Sequence, residues 1–128
     1  MKFLISGSRN YSNYALINAV IKGILETVKQ PKFCHGGAKG ADQLADDSLM
    51  LHLGMNYSEQ VTVYKADWNK YGKLAGPIRN DKMLLEFDPD VVLCFKDGFD
   101  RDMKYGGTEH MARSAKFAGK KVFLIERL

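Results

Sequence analysis

Phe33-Cys34-His35-Gly36-Gly37-Ala38-Lys39-Gly40-Ala41-Asp42 decides how this chain folds. A short apolar run ends at His35, two glycines follow, and a lysine, a third glycine and an aspartate open a helical pattern. That pattern describes a strand passing through a glycine turn into a helix N-terminus. Glycines let a ligand approach the main chain, and the first helical turn offers unpaired N–H groups with a partial positive charge. Lys39 adds a full charge at the same place. Two familiar phosphate loops do not fit. A P-loop requires Lys-Ser or Lys-Thr after its last glycine, whereas Ala41-Asp42 follows Gly40; the dinucleotide fingerprint G-x-G-x-x-G has a spacing that Gly36, Gly37 and Gly40 lack. A glycine turn of this kind also serves as a plain connection, so its meaning depends on its company.

That company is an alternation of strands and helices. Lys2 to Ser6 forms an apolar strand that ends in Gly7-Ser8-Arg9-Asn10. Leu16, Ile17, Val20, Ile21, Ile24, Leu25 and Val28 then mark one apolar helix face, with Ser12 or Asn13 as its cap and Pro31 beyond its end. Lys32 to His35 is the second strand. Ala41, Leu44, Ala45, Ser48 and Leu49 define a second helix that Gly54 ends. Val61 to Tyr64 is the third strand, followed by an irregular stretch from Lys65 to Gly76. Pro77 suits the first turn of a helix reaching Phe87. Val91 to Phe95 is the most apolar strand and is expected at the sheet centre. A charged loop, Lys96 to Tyr105, leads through Gly106-Gly107-Thr108 into a helix ending at Gly119, and Val122 to Ile125 closes the sheet.

At 128 residues the chain reads as a single domain, 1–128, able to bury about two thirds of its unfolded surface. The net charge of +4 suits an anionic ligand without demanding nucleic acid. Cys34 and Cys94 lie in apolar runs and read as buried thiols. No segment resembles a signal peptide or a membrane span, so a cytoplasmic location is expected.

Alternating strands and helices imply an α/β fold, a compact three-layer Rossmann-like domain with a mainly parallel five-stranded sheet in order 3-2-1-4-5. Ligands of such sheets bind beyond the carboxyl ends of the strands, where the order reverses. The loops after the first four strands should therefore meet there. Arg9, Lys39 and Arg79 would share that crevice, with Trp68 or Tyr71 available to stack on a base.

Four sets of residues carry a family resemblance. They are Gly7-Ser8-Arg9, His35 through Asp42, Ala66-Asp67-Trp68 with Tyr71-Gly72-Lys73, and Ala75-Gly76-Pro77-Ile78-Arg79-Asn80 with Met83. Together with Gly107-Thr108 and the helix behind it, they resemble the YspA-like branch of the SLOG superfamily over nearly the whole chain. The resemblance implies a Rossmann-like protein that binds nucleotides or nucleotide-derived signals. Relatives include the Lonely Guy phosphoribohydrolases, the single-stranded-DNA-binding DNA-processing protein A family, and sensor domains of bacterial anti-phage defence. The hydrolases carry an Arg followed four residues later by Met, which Arg79 and Met83 match. Their loop Pro-Gly-Gly-x-Gly-Thr-x-x-Glu corresponds to Tyr105-Gly106-Gly107-Thr108-Glu109-His110-Met111, which lacks the proline and places Met111 at the catalytic glutamate. Glu109 stands two positions early, about 200° away around a helix.

The resemblance thus implies a sensor or sequestering protein. A nucleotide N-glycosidase using Arg79 and Glu109 is the enzymatic alternative, and single-stranded nucleic-acid binding the third. The expected ligand-binding residues are Gly7, Ser8, Arg9, Gly36, Gly37, Ala38, Lys39, Gly40, Asp42, Asp67, Trp68, Arg79, Asn80, Gly106, Gly107 and Thr108. No cofactor or metal is expected, and a homo-oligomer is compatible with the sequence. Several of these residues have plainer uses. Asp42 and Asp67 suit helix caps and turns, Trp68 suits a core, and Asp97, Asp100 and Asp102 match no calcium loop.

Overall fold

The computed structural model describes residues 1–126. Strands β1 (Lys2–Gly7), β2 (Lys32–His35), β3 (Val61–Val63), β4 (Val91–Phe95) and β5 (Lys121–Ile125) form one parallel sheet in the order β3-β2-β1-β4-β5. The expected order is observed. The central strand, however, is β1; the more apolar β4 lies beside it and pairs Gly7 with Phe95. Being interior and covered on both faces is enough to explain its composition.

Period-two alternation sends each strand's side chains to opposite layers. Phe3, Ile5, Phe33, Leu93 and Phe95 pack with Ile17 and Ile21 of α1 (Tyr14–Thr27) and with Ala41, Ala45 and Leu49 of α2 (Ala41–Leu53). Leu4, Cys34, Val92 and Cys94 face the other way. They meet Met83, Leu84 and Phe87 on that side, and Met111, Ala112 and Ala115 of a helix spanning Gly107–Phe117. Asn13 caps α1, its side chain accepting the Leu16 N–H at 3.1 Å. Both cysteines are buried free thiols; burial, then the nearby Glu109 carboxylate, pushes Cys94 up to about 12.

Between β3 and β4 the chain is more helical than its sequence suggests. After α3 (Tyr57–Gln60) and β3 come α4 (Trp68–Tyr71), a 3₁₀ turn at Gly72–Leu74, and α5 (Ala75–Lys82). A π-helical turn, Met83–Phe87, extends α5 until Asp88 adopts φ of 53°. Pro77 is thus the third helical residue, still within the first turn, where a missing N–H costs no intrahelical bond. The Gly107–Phe117 helix is α6. Among the described residues, no helix is long and apolar enough to cross a membrane.

Candidate functional site

Four loops leave the carboxyl ends of β1 to β4 on one edge of the sheet, and two adjacent cavities lie among them. The first, of about 390 Å³, sits over the switch point between β1 and β4. Ser6 to Arg9, Asp42, Arg79, Asn80, Lys96, Gly106 to Thr108 and His110 line it. The second, about 580 Å³, lies on the β2–β3 side against Gly36 to Lys39, Lys65 and Ala66. Arg9, Ala38, Trp68 and Arg79 line both and form the partition.

The glycine turn is braced from within. Asp42, in the first turn of α2, is 5% exposed, and its Oδ2 accepts the N–H groups of Gly36 at 3.1 Å and Ala38 at 3.2 Å. Gly37 donates its N–H to His35 Nδ1 at 3.0 Å, which places the ring proton on Nε2, bonded to Asp46 Oδ1 at 2.8 Å. Tyr57 donates its hydroxyl to the same oxygen. Three amides of this turn are therefore committed to side chains of the fold, so its glycines face the cavity with those N–H groups already paired. Burial pushes the Asp42 carboxyl above its usual range, against the pull of His35, Ala38 N–H and Arg79.

Two glycines of this turn, Gly36 and Gly40, are fixed by close approach. At Gly40, with φ of +79°, a Cβ would overlap the carbonyl oxygens of Ser8 and Arg9; the Ala41 N–H donates to Ser8 O at 3.2 Å. At Gly36 a Cβ would overlap the Arg79 guanidinium, which donates from Nη1 to Gly36 O at 2.9 Å. Arg79 also donates from Nε to Asn80 Oδ1 at 3.0 Å, and Asn80 Nδ2 lies 3.3 Å from His110 Nδ1. These bonds lock Arg79 across the partition.

The α6 turn is arranged differently. Gly106 precedes the helix with no side-chain cap, so the Gly107 and Thr108 end of α6 faces the first cavity. Glu109, in that same first turn, points inward. It is fully buried, and Oε2 accepts from Lys96 Nζ at 2.6 Å and from the Asp100 N–H at 2.8 Å. Burial alone would push its pKa up, but the Asp100 N–H and Lys96 outweigh it and hold it below the usual range. Asp100 Oδ2 in turn accepts the Lys104 N–H at 2.8 Å, so this loop aspartate organises its own turn. Met111, which the resemblance aligns with the hydrolase glutamate, lies in the core with Leu4 and Cys94.

Of the expected ligand-binding residues, Gly7, Ser8, Arg9, Gly36, Gly37, Ala38, Lys39, Asp42, Trp68, Arg79, Asn80, Gly106, Gly107 and Thr108 line one cavity or both. Asp67 and Gly40 do not. Asp67 caps α4, accepting the Lys70 N–H at 3.1 Å, and Gly40 holds α2 against the loop after β1. Trp68 is not a core residue: it is 48% exposed, with the Arg9 guanidinium 5.2 Å from its ring centroid. His110, within the quoted Gly-Gly-Thr motif, also lines the first cavity, and Lys65 and Lys96 are cavity residues that the motifs did not single out. The only sequence signal of these two lysines was proximity to strand ends. Ser8 Oγ and Asp42 Oδ1 are buried at the first cavity without a protein partner among the described residues.

Chemically, the lining of the cleft is mostly cationic. Arg9, Lys39, Lys65, Arg79 and Lys96 line it, against Asp42 as the one carboxylate among its lining residues. No protein-family model matches the chain, and no solved structure matches it significantly. It is 33% identical over 121 residues to the Gene 61 protein of Mycobacterium phage D29, an alignment covering 92% of this chain and 90% of the phage protein. At that identity and coverage, the chain belongs to the same family as the phage D29 Gene 61 protein.

Proposed function

We propose that the protein binds a phosphorylated nucleoside, or a signal derived from one, in the cleft at the carboxyl edge of the sheet, as a sensor or a sequestering protein. The observation that carries this reading is the start of α6. Gly107 and Thr108 open a helix without a side-chain cap, beside Arg79 and Lys96, in a cavity at the switch point. Uncapped N–H groups, the helix dipole and the Arg79 guanidinium, which has no carboxylate partner among the described residues, suit a phosphate. Ser8 Oγ and Asp42 Oδ1 are buried oxygens free to bond ligand hydroxyls or amines. The half-exposed Trp68 offers a ring to a base. Lys39 and Lys65 extend the positive lining into the second cavity, which suits further phosphate groups.

The geometry favours binding over N-glycoside hydrolysis. Met111 is in the core and Glu109 is sealed against Lys96, so neither brings a free carboxylate to a glycosidic bond. The test is a thermal-shift screen of nucleoside mono- and diphosphates, NAD derivatives and cyclic dinucleotides, with chromatography for released base. A ligand at a hundred times its Kd adds about 2.7 kcal/mol and raises Tm by about 10 °C. A shift without base release is the expected result. No shift with any nucleotide, and a shift with single-stranded DNA, would replace this reading with nucleic-acid binding.

A further inference from the structure

Away from the cleft, the outer face of the α5–α6 layer is apolar and uncovered. Leu74, Ile78 and Leu85 recur at helical spacing along α5 and its flanks and are 65%, 38% and 83% exposed. At the end of α6, Phe117 is 96% exposed. Between them runs a groove of about 540 Å³ walled by Leu84, Leu85, Ser114, Asp81 and Arg113, with Phe117 at its rim. Asp81 and Arg113 carry opposite charges on the two helices, yet neither forms an ion pair among the described residues.

We propose that a second copy of this chain docks on this face by a two-fold contact. Each Phe117 enters the partner's groove, and each Arg113 faces the partner's Asp81. The argument is self-complementarity. A two-fold contact uses one patch twice, so that patch must hold a projection and a recess, and a charge of each sign. This face holds all four: Phe117, the Leu84–Leu85 groove, Asp81 and Arg113. An aromatic anchor entering an apolar pocket, with charges at the rim, is the usual anatomy of a specific interface.

Sedimentation equilibrium of the full chain tests this, with circular dichroism confirming the fold of each variant. The wild type should show twice the 14.4 kDa chain mass at about 100 μM. Phe117→Asp changes a side chain that is 96% exposed, so it leaves the fold intact and should weaken the dimer about a hundredfold. Asp81→Arg or Arg113→Asp alone should weaken it about tenfold, and the two together should restore it to within about threefold. A wild type that stays monomeric overturns the proposal and leaves the face to a different partner. So does a dimer indifferent to Phe117→Asp, or one that the double charge reversal fails to restore.

Discussion

Two glycine turns open helices onto the same cleft, and each helix carries a buried acid in its first turn, yet the acids do opposite things. At α2, Asp42 folds back on its own turn and consumes the Gly36 and Ala38 amides. At α6, Glu109 turns inward to Lys96 and the Asp100 N–H, leaving the helix start facing the cavity. The first turn is a wall built by its acid; the second leaves its helix start open to the cavity. The partner decides the charge state too. With the Asp100 N–H at 2.8 Å and a lysine at 2.6 Å, Glu109 is held below the usual carboxylate range. Asp42 has no lysine in contact, and burial holds it above. Glycine content and helix position alone therefore do not assign a phosphate loop; the fate of the amides does.

The largest expected effect lies at Glu109. Glu109→Ala strands Lys96 and the Asp100 N–H around an empty space, and should cost about 3–5 kcal/mol in urea unfolding. Glu109→Gln keeps the volume but loses the ion pair, and should remain clearly destabilised. At Asp42 the contrast sharpens. Asp42→Ala frees two turn amides and should cost about 2–3 kcal/mol, while Asp42→Asn keeps an acceptor for both and should cost about 1 kcal/mol or less. If Gln rescues position 109 as well as Asn rescues 42, the distinction between the two acids is lost.

A smaller effect separates them by pH. Because Glu109 has a lowered folded pKa, its contribution is complete above its unfolded pKa near 4.3 and is lost as pH falls through the lower folded value. Asp42 has a raised folded pKa, so it lowers stability as pH rises from its unfolded value near 3.9 through the folded one. Unfolding measured from about pH 3 to 8 should therefore show Asp42→Asn gaining relative to wild type as pH rises, and Glu109→Gln losing. The same sign for both would refute the assignment. The smallest effect is at the partition. Arg9→Ala removes an exposed cation–π contact and should change stability by about 0.5–1 kcal/mol, while shifting Trp68 fluorescence.

Much of this architecture was legible before any coordinates. Apolar runs separated by helical periodicity dictate parallel strands, and the strand order placed the four loops on one edge. Asn13 and Gly54 ended helices where their chemistry predicts. What escaped depended on contacts across the fold. The Lys96–Glu109 pair joins residues 13 apart in different elements, which no local period reveals. That Asp42 spends its oxygen on Gly36 and Ala38 depends on side-chain direction, not spacing. Tryptophan suits a core as readily as a stacking face, and spacing does not choose between them; here Trp68 sits on a short helical turn outside both apolar layers. The π-helical turn at Met83–Phe87 has no composition signal that separates it from ordinary helix.

The claim that α6, rather than the glycine turn of α2, receives the phosphate is tested most directly by amide chemical shifts. A ¹⁵N-labelled sample titrated with the nucleotide giving the largest thermal shift reports each N–H separately. The Gly107 and Thr108 amides should move most, while Gly36 and Ala38, held by Asp42, should move little. The largest changes at Gly36 to Ala38 with α6 unmoved would contradict the assignment and return the phosphate to the glycine turn.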